Sequence, residues 1–118
     1  MFAMDAIRTI IEEIKRFRDE RGWSQFHDPK SMAASITIES AELLEHFQWK
    51  NKQEAEEYVK THKDEIAEEI ADVAMYLFEL SDNLGIDLLD AMHKKLRKNA
   101  AKYPIEKAKG VHTKYDKL

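Results

Sequence analysis

The chain contains no cysteine, and it has only three glycines and two prolines among its 118 residues. The absence of cysteine excludes disulfide bonds, thiolate metal sites and thiol catalysis. The scarcity of glycine and proline argues against a β-sandwich or barrel, which would need many tight turns. Because Ala, Leu, Ile, Glu and Lys are abundant, we expect an all-α fold.

Long apolar runs are also missing, and no segment approaches the roughly 20 residues of a membrane span. Asp5, Arg8 and Glu12 interrupt the N-terminal segment, so we do not expect a signal peptide. The net charge of −4 offers no general attraction to nucleic acid or anionic lipid. The length is that of one domain. We therefore expect a single soluble, cytoplasmic domain over residues 1–118, with no nucleic-acid or membrane partner.

Helical periodicity and capping residues predict four helices. Their bounds are Asp5 as N-cap to Arg21-Gly22, Asp28-Pro29 to about His46, His62 or Lys63 to Leu84, and Asp87 as N-cap to the residue before Tyr103-Pro104. Residues 53–60 could form a short polar helix, but we treat them as a linker because they are so highly charged. Residues 105–118 are either an ordered arm or a frayed tail.

Two copies of one acidic pattern lie in the second and third helices, Glu39/Glu42 and Glu69/Asp72. Residues three apart lie on the same side of a helix, so each pattern presents two neighbouring carboxylates. At about 100° per residue, the acids lie about 60° and 120° to one side of their apolar stripes, in the same sense in both helices. Two helices packed along these stripes would bring four acids to one edge of their seam.

Four carboxylates beside an apolar seam repel one another unless a positive charge lies between them. Carboxylate oxygens are the ligands that Mg²⁺ prefers, so the repeated pattern predicts a magnesium site, with Mn²⁺ as a substitute. The simpler alternative is that the acids belong to a solvated helix face. A di-iron site is disfavoured because it usually needs Glu-x-x-His pairs, and His46 follows Glu42 by four residues.

The apolar arcs of the second and third helices are wide, because Ala33, Ala41, Leu44 and Phe78 extend them. Two flanking helices are too few to cover both arcs in so small a domain, which favours a homo-oligomer. The alternative is a compact monomeric four-helix bundle. The unusually aromatic loop Trp23–His27 could simply fold back and cap the core.

Four segments together resemble the MazG-like nucleotide pyrophosphohydrolases, and within them the dCTP pyrophosphatase branch. They are Trp23-Ser-Gln-Phe-His27, Glu39-Ser-Ala-Glu42, Phe47-Gln-Trp49 and Glu69-Ile-Ala-Asp72. The resemblance implies an all-α four-helix fold that assembles into homodimers or homotetramers. It also implies Mg²⁺-dependent cleavage of a nucleoside triphosphate, with dCTP as the expected substrate, between its α and β phosphates.

By position, the resemblance assigns metal binding to Glu39, Glu42, Glu69 and Asp72. It assigns substrate binding to Trp23, His27, Trp49, Tyr76, Lys95, Asn99 and Lys102. Glu39 and Glu69 lie nearest the seam and are the two candidates for the catalytic base. Ile14 stands where some relatives have a histidine that contacts the substrate, which leaves the base preference open.

Two observations from the residues agree with these assignments. Tyr76 lies one turn after Asp72, on the acidic side of its helix. Trp49 could stack on any base, whereas Asn99 offers both a donor and an acceptor that could match the edge of cytosine. The alternative to an enzyme is a non-catalytic helical oligomerisation module, in which the acids only keep the surface soluble.

Overall fold

The computed structural model describes the backbone of residues 3–118 and the side chains of residues 6–118. Residues 3–118 form five helices: α1 Ala3–Glu20, α2 Pro29–Glu45, α3 Lys52–Asn83, α4 Leu88–Lys102 and the short α5 Ile105–Ala108. Single 3₁₀ turns occupy Trp23–Phe26 and Tyr115–Lys117. The described residues contain no strand, which confirms the all-α prediction. None of these helices combines the length and apolarity needed to cross a bilayer.

Four helix boundaries follow the local chemistry of the sequence. The Asp28 side chain accepts a hydrogen bond from the Ser31 amide and caps α2, and the Asp87 side chain caps α4 in the same way. Gly22 and Gly85 follow the ends of α1 and α3 with φ of 64° and 69°. This left-handed conformation is strained for other residues and commonly ends a helix.

Two boundary predictions are wrong. Asp5 lies inside α1 rather than at its N-cap, because the helix already includes Ala3, a strong helix former; the Asp5 side chain lies outside the described residues. Residues 53–60 are not a linker, since they form the first part of a continuous α3.

The reason for the longer α3 is partly local and partly tertiary. Asn51 and Glu54 form a capping box that satisfies the first free amides of the helix. Tyr58 then donates to or accepts from His46 Nδ1 at 2.7 Å and packs edge-on against Phe47. The helix is bent at His62, whose φ of −126° and ψ of 23° are not helical.

The chain forms two compact units, residues 3–85 and residues 86–118. In the first unit α3 packs against both α2 and α1, around a small apolar core of Ile11, Met32 and Ile66. Many apolar side chains of the predicted stripes stay uncovered in one chain, including Leu44, Ile70, Leu77 and Leu84. The aromatic loop does not cap this core, because Trp23 and Phe26 are 43% and 61% exposed.

Candidate active site

The packing of α2 against α3 brings carboxylates from the two acidic patterns together. One carboxylate oxygen from each of Glu39, Glu69 and Asp72 lies within 4.8 Å of the other two. Glu69 and Asp72 lie on the same side of α3 because they are three residues apart. Glu39 meets them from α2. The fourth acid, Glu42, is not in this closest set, but its charge acts on two of its members.

Burial and mutual repulsion disfavour the ionised forms of these acids. Burial raises the pKa of Glu39 to about 7, and the neighbouring Glu42 and Asp72 add to the shift. Burial likewise raises the pKa of Glu69, again with a contribution from Glu42. A cation among the acids would remove both effects.

Two oxygen atoms of the cluster have no partner. Glu39 Oε2 and Glu69 Oε2 are buried and accept no hydrogen bond from residues 6–118. A buried carboxylate oxygen without a partner is unfavourable, because it has lost water and gained no donor in return. A hard divalent cation fits this set of donors, since all of them are carboxylate oxygens.

A cavity of about 370 Å³ opens beside the acids in the first unit. Glu39 and Asp72 form part of its wall, as do three of the predicted substrate-binding residues, Trp23, His27 and Tyr76. The His27 and Tyr76 rings meet edge-on, with centroids 6.3 Å apart. The wall therefore combines aromatic surface with carboxylates, as a pocket for a base next to a cation would require.

Helix α1 supplies one side of the cavity, of which the sequence interpretation had included only the position of Ile14. Ile10, Ile14 and Phe17 line it, and Phe17 packs edge-on against Trp23 with centroids 5.7 Å apart. Ile14, where the resemblance implies a histidine in some relatives, thus lines the same cavity as Trp23, His27 and Tyr76. The loop Trp23–Phe26 owes its placement to this contact with α1.

A buried network of charged side chains lies in the cavity wall and was also missed. Glu79 is 2% exposed and Arg18 is 9% exposed, and both line the cavity. Arg18 Nη1 lies 3.3 Å from Glu79 Oε2, and His27 Nδ1 lies 2.6 Å from the same oxygen. The sequence does contain a signal for Glu79. Asp72, Tyr76 and Glu79 lie at i, i+4 and i+7, which places all three on one face of α3.

Trp49, within the first unit, does not line this cavity, and the remaining three predicted substrate residues belong to the second unit. Trp49 lies in the turn after α2 and is 87% exposed. Lys95, Asn99 and Lys102 belong to α4 in the second unit, where Lys102 Nζ lies 4.7 Å from the centre of the Tyr115 ring. Their assignment to the substrate stays a prediction.

Comparison with known proteins identifies relatives of this chain. The sequence model of the MazG-like family matches residues 34–118. The chain is 35% identical over 114 residues to dCTP pyrophosphatase 1 of Mus musculus, and 33% identical over the same number to that of Homo sapiens. Each alignment covers 92% of this chain and 67% of the relative.

A solved structure with the same fold is also found. A pyrophosphatase from Archaeoglobus fulgidus DSM 4304 superposes with a TM-score of 0.81 at 44% sequence identity. The match covers 84% of this chain and 93% of the other.

Proposed function

Because the chain belongs to the MazG-like family, we propose that it is a nucleoside triphosphate pyrophosphohydrolase that converts dCTP to dCMP and pyrophosphate with Mg²⁺. The observation that carries this proposal is the acid cluster with two unpartnered buried oxygens, which opens onto an aromatic cavity. The relatives named dCTP pyrophosphatase support the choice of substrate.

The four acids have a role that follows from the charge of the substrate. A nucleoside triphosphate carries several negative charges, so it cannot approach Glu39, Glu69 and Asp72 unless their charge is neutralised. These three residues, with Glu42 beside them, would hold the cation. A bound Mg²⁺, or Mn²⁺ in its place, supplies neutralisation of phosphate charge and acidification of water.

The protein side chains then bind the base and move the proton. Trp23 and Tyr76 offer ring faces or edges to a planar base, and such stacking is worth about 1–3 kcal/mol per base. Glu39 and Glu69 are the candidates to accept the proton of the attacking water. Attack at the α phosphorus releases pyrophosphate, which is the product that the names of the relatives suggest.

We also propose that the protein acts as a homodimer or homotetramer. The apolar core of one chain is small, whereas Ile70, Leu77 and Leu84 of α3 are 52%, 42% and 51% exposed. Burial of such surfaces contributes about 25 cal/mol per Å², so a second copy is the natural cover. Light scattering over a dilution series should give a dimer or tetramer mass at micromolar concentration, and a monomer mass throughout would contradict the proposal.

The function is tested with a panel of deoxynucleoside and ribonucleoside triphosphates in the presence of Mg²⁺, with identification of both products. We expect dCMP and pyrophosphate, formed faster from dCTP than the corresponding products from most other nucleotides. Release of dCDP and inorganic phosphate would contradict the pyrophosphohydrolase assignment. Faster turnover of another base would change only the specificity, and no turnover of any nucleotide would favour the non-catalytic module.

A further inference from the structure

The buried network beside the cavity contacts one ring of the cavity wall, that of His27. We propose that Glu79 is a positioning residue, which holds His27 with its Nδ1–H bound to the carboxylate and so reserves Nε2 for the nucleotide. This inference rests on the proposed function for the identity of the ligand. The hydrogen-bonding state of the ring itself follows from the contacts alone.

Three donors converge on a single carboxylate oxygen. Glu79 Oε2 lies 2.6 Å from His27 Nδ1, 3.3 Å from Arg18 Nη1 and 3.2 Å from Asn83 Nδ2. Asn83 also accepts from Arg18 through Oδ1 at 3.2 Å, which fixes the orientation of its amide. Because it pairs with a permanently charged guanidinium, the Glu79 carboxylate can only accept hydrogen bonds.

The state of His27 follows from this arrangement. Since Glu79 can only accept, Nδ1 of His27 must carry the proton, whether the ring is neutral or charged. Nε2 is then the only ring nitrogen left for a ligand, and His27 lies in the cavity wall beside Tyr76. Glu79 selects one tautomer of His27 and fixes the orientation of its ring. Substrate binding then has to order the ring less than it otherwise would.

Arg18 explains how Glu79 can be charged at 2% exposure. The guanidinium is itself held in place, because Nε donates to Asp19 at 2.8 Å while Nη1 reaches Glu79. A buried charge that is paired and hydrogen-bonded on several sides is tolerated. Glu79 therefore has a fixed position against which His27 can be aligned.

The first experiment measures the tautomer directly. Long-range ¹H–¹⁵N NMR correlation of the wild-type protein should show His27 with a protonated Nδ1. A neutral ring with the proton on Nε2 would overturn the proposal, and this measurement requires neither a variant nor activity. If no nucleotide were turned over, the proposed function would fail while this assignment could still hold.

The second experiment tests whether Glu79 acts on the substrate through His27. Glu79→Gln removes the charge of the carboxylate and leaves an amide oxygen as the acceptor, so the bond from His27 Nδ1–H is weakened and is no longer charge-assisted. We expect KM for the nucleotide to rise about tenfold, in line with the loss of one charge-assisted hydrogen bond, while kcat changes less. In a His27→Phe background, Glu79→Gln should have no further effect on KM.

Asp82→Asn is the matched control. Asp82 lies one turn beyond Glu79 on α3 and is paired with Arg8 at 2.8 Å and Lys15 at 3.2 Å on α1, but it does not line the cavity. Its loss should lower stability and leave both KM and the His27 tautomer unchanged. Equal KM effects of Glu79→Gln with and without His27 would overturn the positioning role, even if the variant is less stable.

Discussion

Helix α3 carries acids in two neighbouring places, and they differ in whether the protein itself supplies a positive charge. At Glu69 and Asp72 the neighbours are further carboxylates, and two buried oxygens of the cluster have no partner within residues 6–118. At Glu79 the carboxylate is more deeply buried, yet it receives donors from Arg18, His27 and Asn83.

The difference shows how burial of a carboxylate should be interpreted. Burial alone does not mark a metal site, because the most buried acid among those described, Glu79, receives three donors on one of its oxygens. A deficit of donors, together with pKa values raised by burial and like charges, marks the place that a cation would stabilise. A buried acid that has its own donors, such as Glu79, instead stabilises the structure or orients a neighbouring side chain.

The largest expected effect comes from removal of one charge from the unpartnered cluster. Glu69→Gln should lower kcat by about 100-fold or more, because the charge holds the cation that acts in the transition state. Its matched control is Glu68→Gln, since Glu68 is the exposed neighbour outside the cluster. Steady-state kinetics with an Mg²⁺ titration provide the measurement. Wild-type turnover in Glu69→Gln would support the alternative that the acids are only part of a solvated helix face.

The next effect is stabilisation by the metal alone. Mg²⁺ at 100 times its Kd should raise the free energy of unfolding by about 2.7 kcal/mol, because it binds the folded cluster and not the unfolded chain. Chelation should remove this gain. Denaturant unfolding with and without Mg²⁺ tests it, and the gain should shrink in Glu69→Gln but persist in Glu79→Gln.

A third prediction compares the two places in metal-free protein, where the same chemical change should have opposite signs. Glu69→Gln should raise stability, because it relieves repulsion among like charges. Glu79→Gln should lower the free energy of unfolding by about 1–3 kcal/mol, because it weakens a satisfied buried network. Denaturation midpoints in EDTA measure both, and a loss of stability in Glu69→Gln would contradict the contrast between the two groups.

The smallest expected effect is a dependence of stability on pH, because solvent screens the charge of the partly exposed Glu39. The pKa of Glu39 is about 7 in the folded protein against an ordinary value of 4.5. The folded state therefore keeps a proton that the unfolded state releases, so stability should fall as pH rises from about 4.5 to about 7 and level off above that. Thermal midpoints in EDTA should show this fall, and the slope should be smaller in Glu39→Gln.

Four helix boundaries were predicted correctly from local signals. Asp28, Asp87, Gly22 and Gly85 act on amides and carbonyls within a few residues of themselves, so their roles can be inferred from the sequence. The prediction failed for residues 53–60, where the charge of the segment suggested a linker. Its helix gains a contact between Tyr58 and His46, which follows the end of α2, so the two residues pair only when α3 packs beside that end.

The candidate site also has features that the sequence predicts and features that depend on tertiary packing. The pairing of Glu39 with Glu42 and of Glu69 with Asp72 is a matter of helical spacing, which the sequence determines by itself. The tertiary structure decided which oxygens meet, that α1 closes one side of the cavity, and that Glu79 receives donors from Arg18 and His27. Arg18 and Glu79 are 61 residues apart, and periodicity within one helix carries no information on such a partner. Local backbone geometry therefore determined which side chains share a helix face, and only the packing of one helix on another decided which of their charges are satisfied.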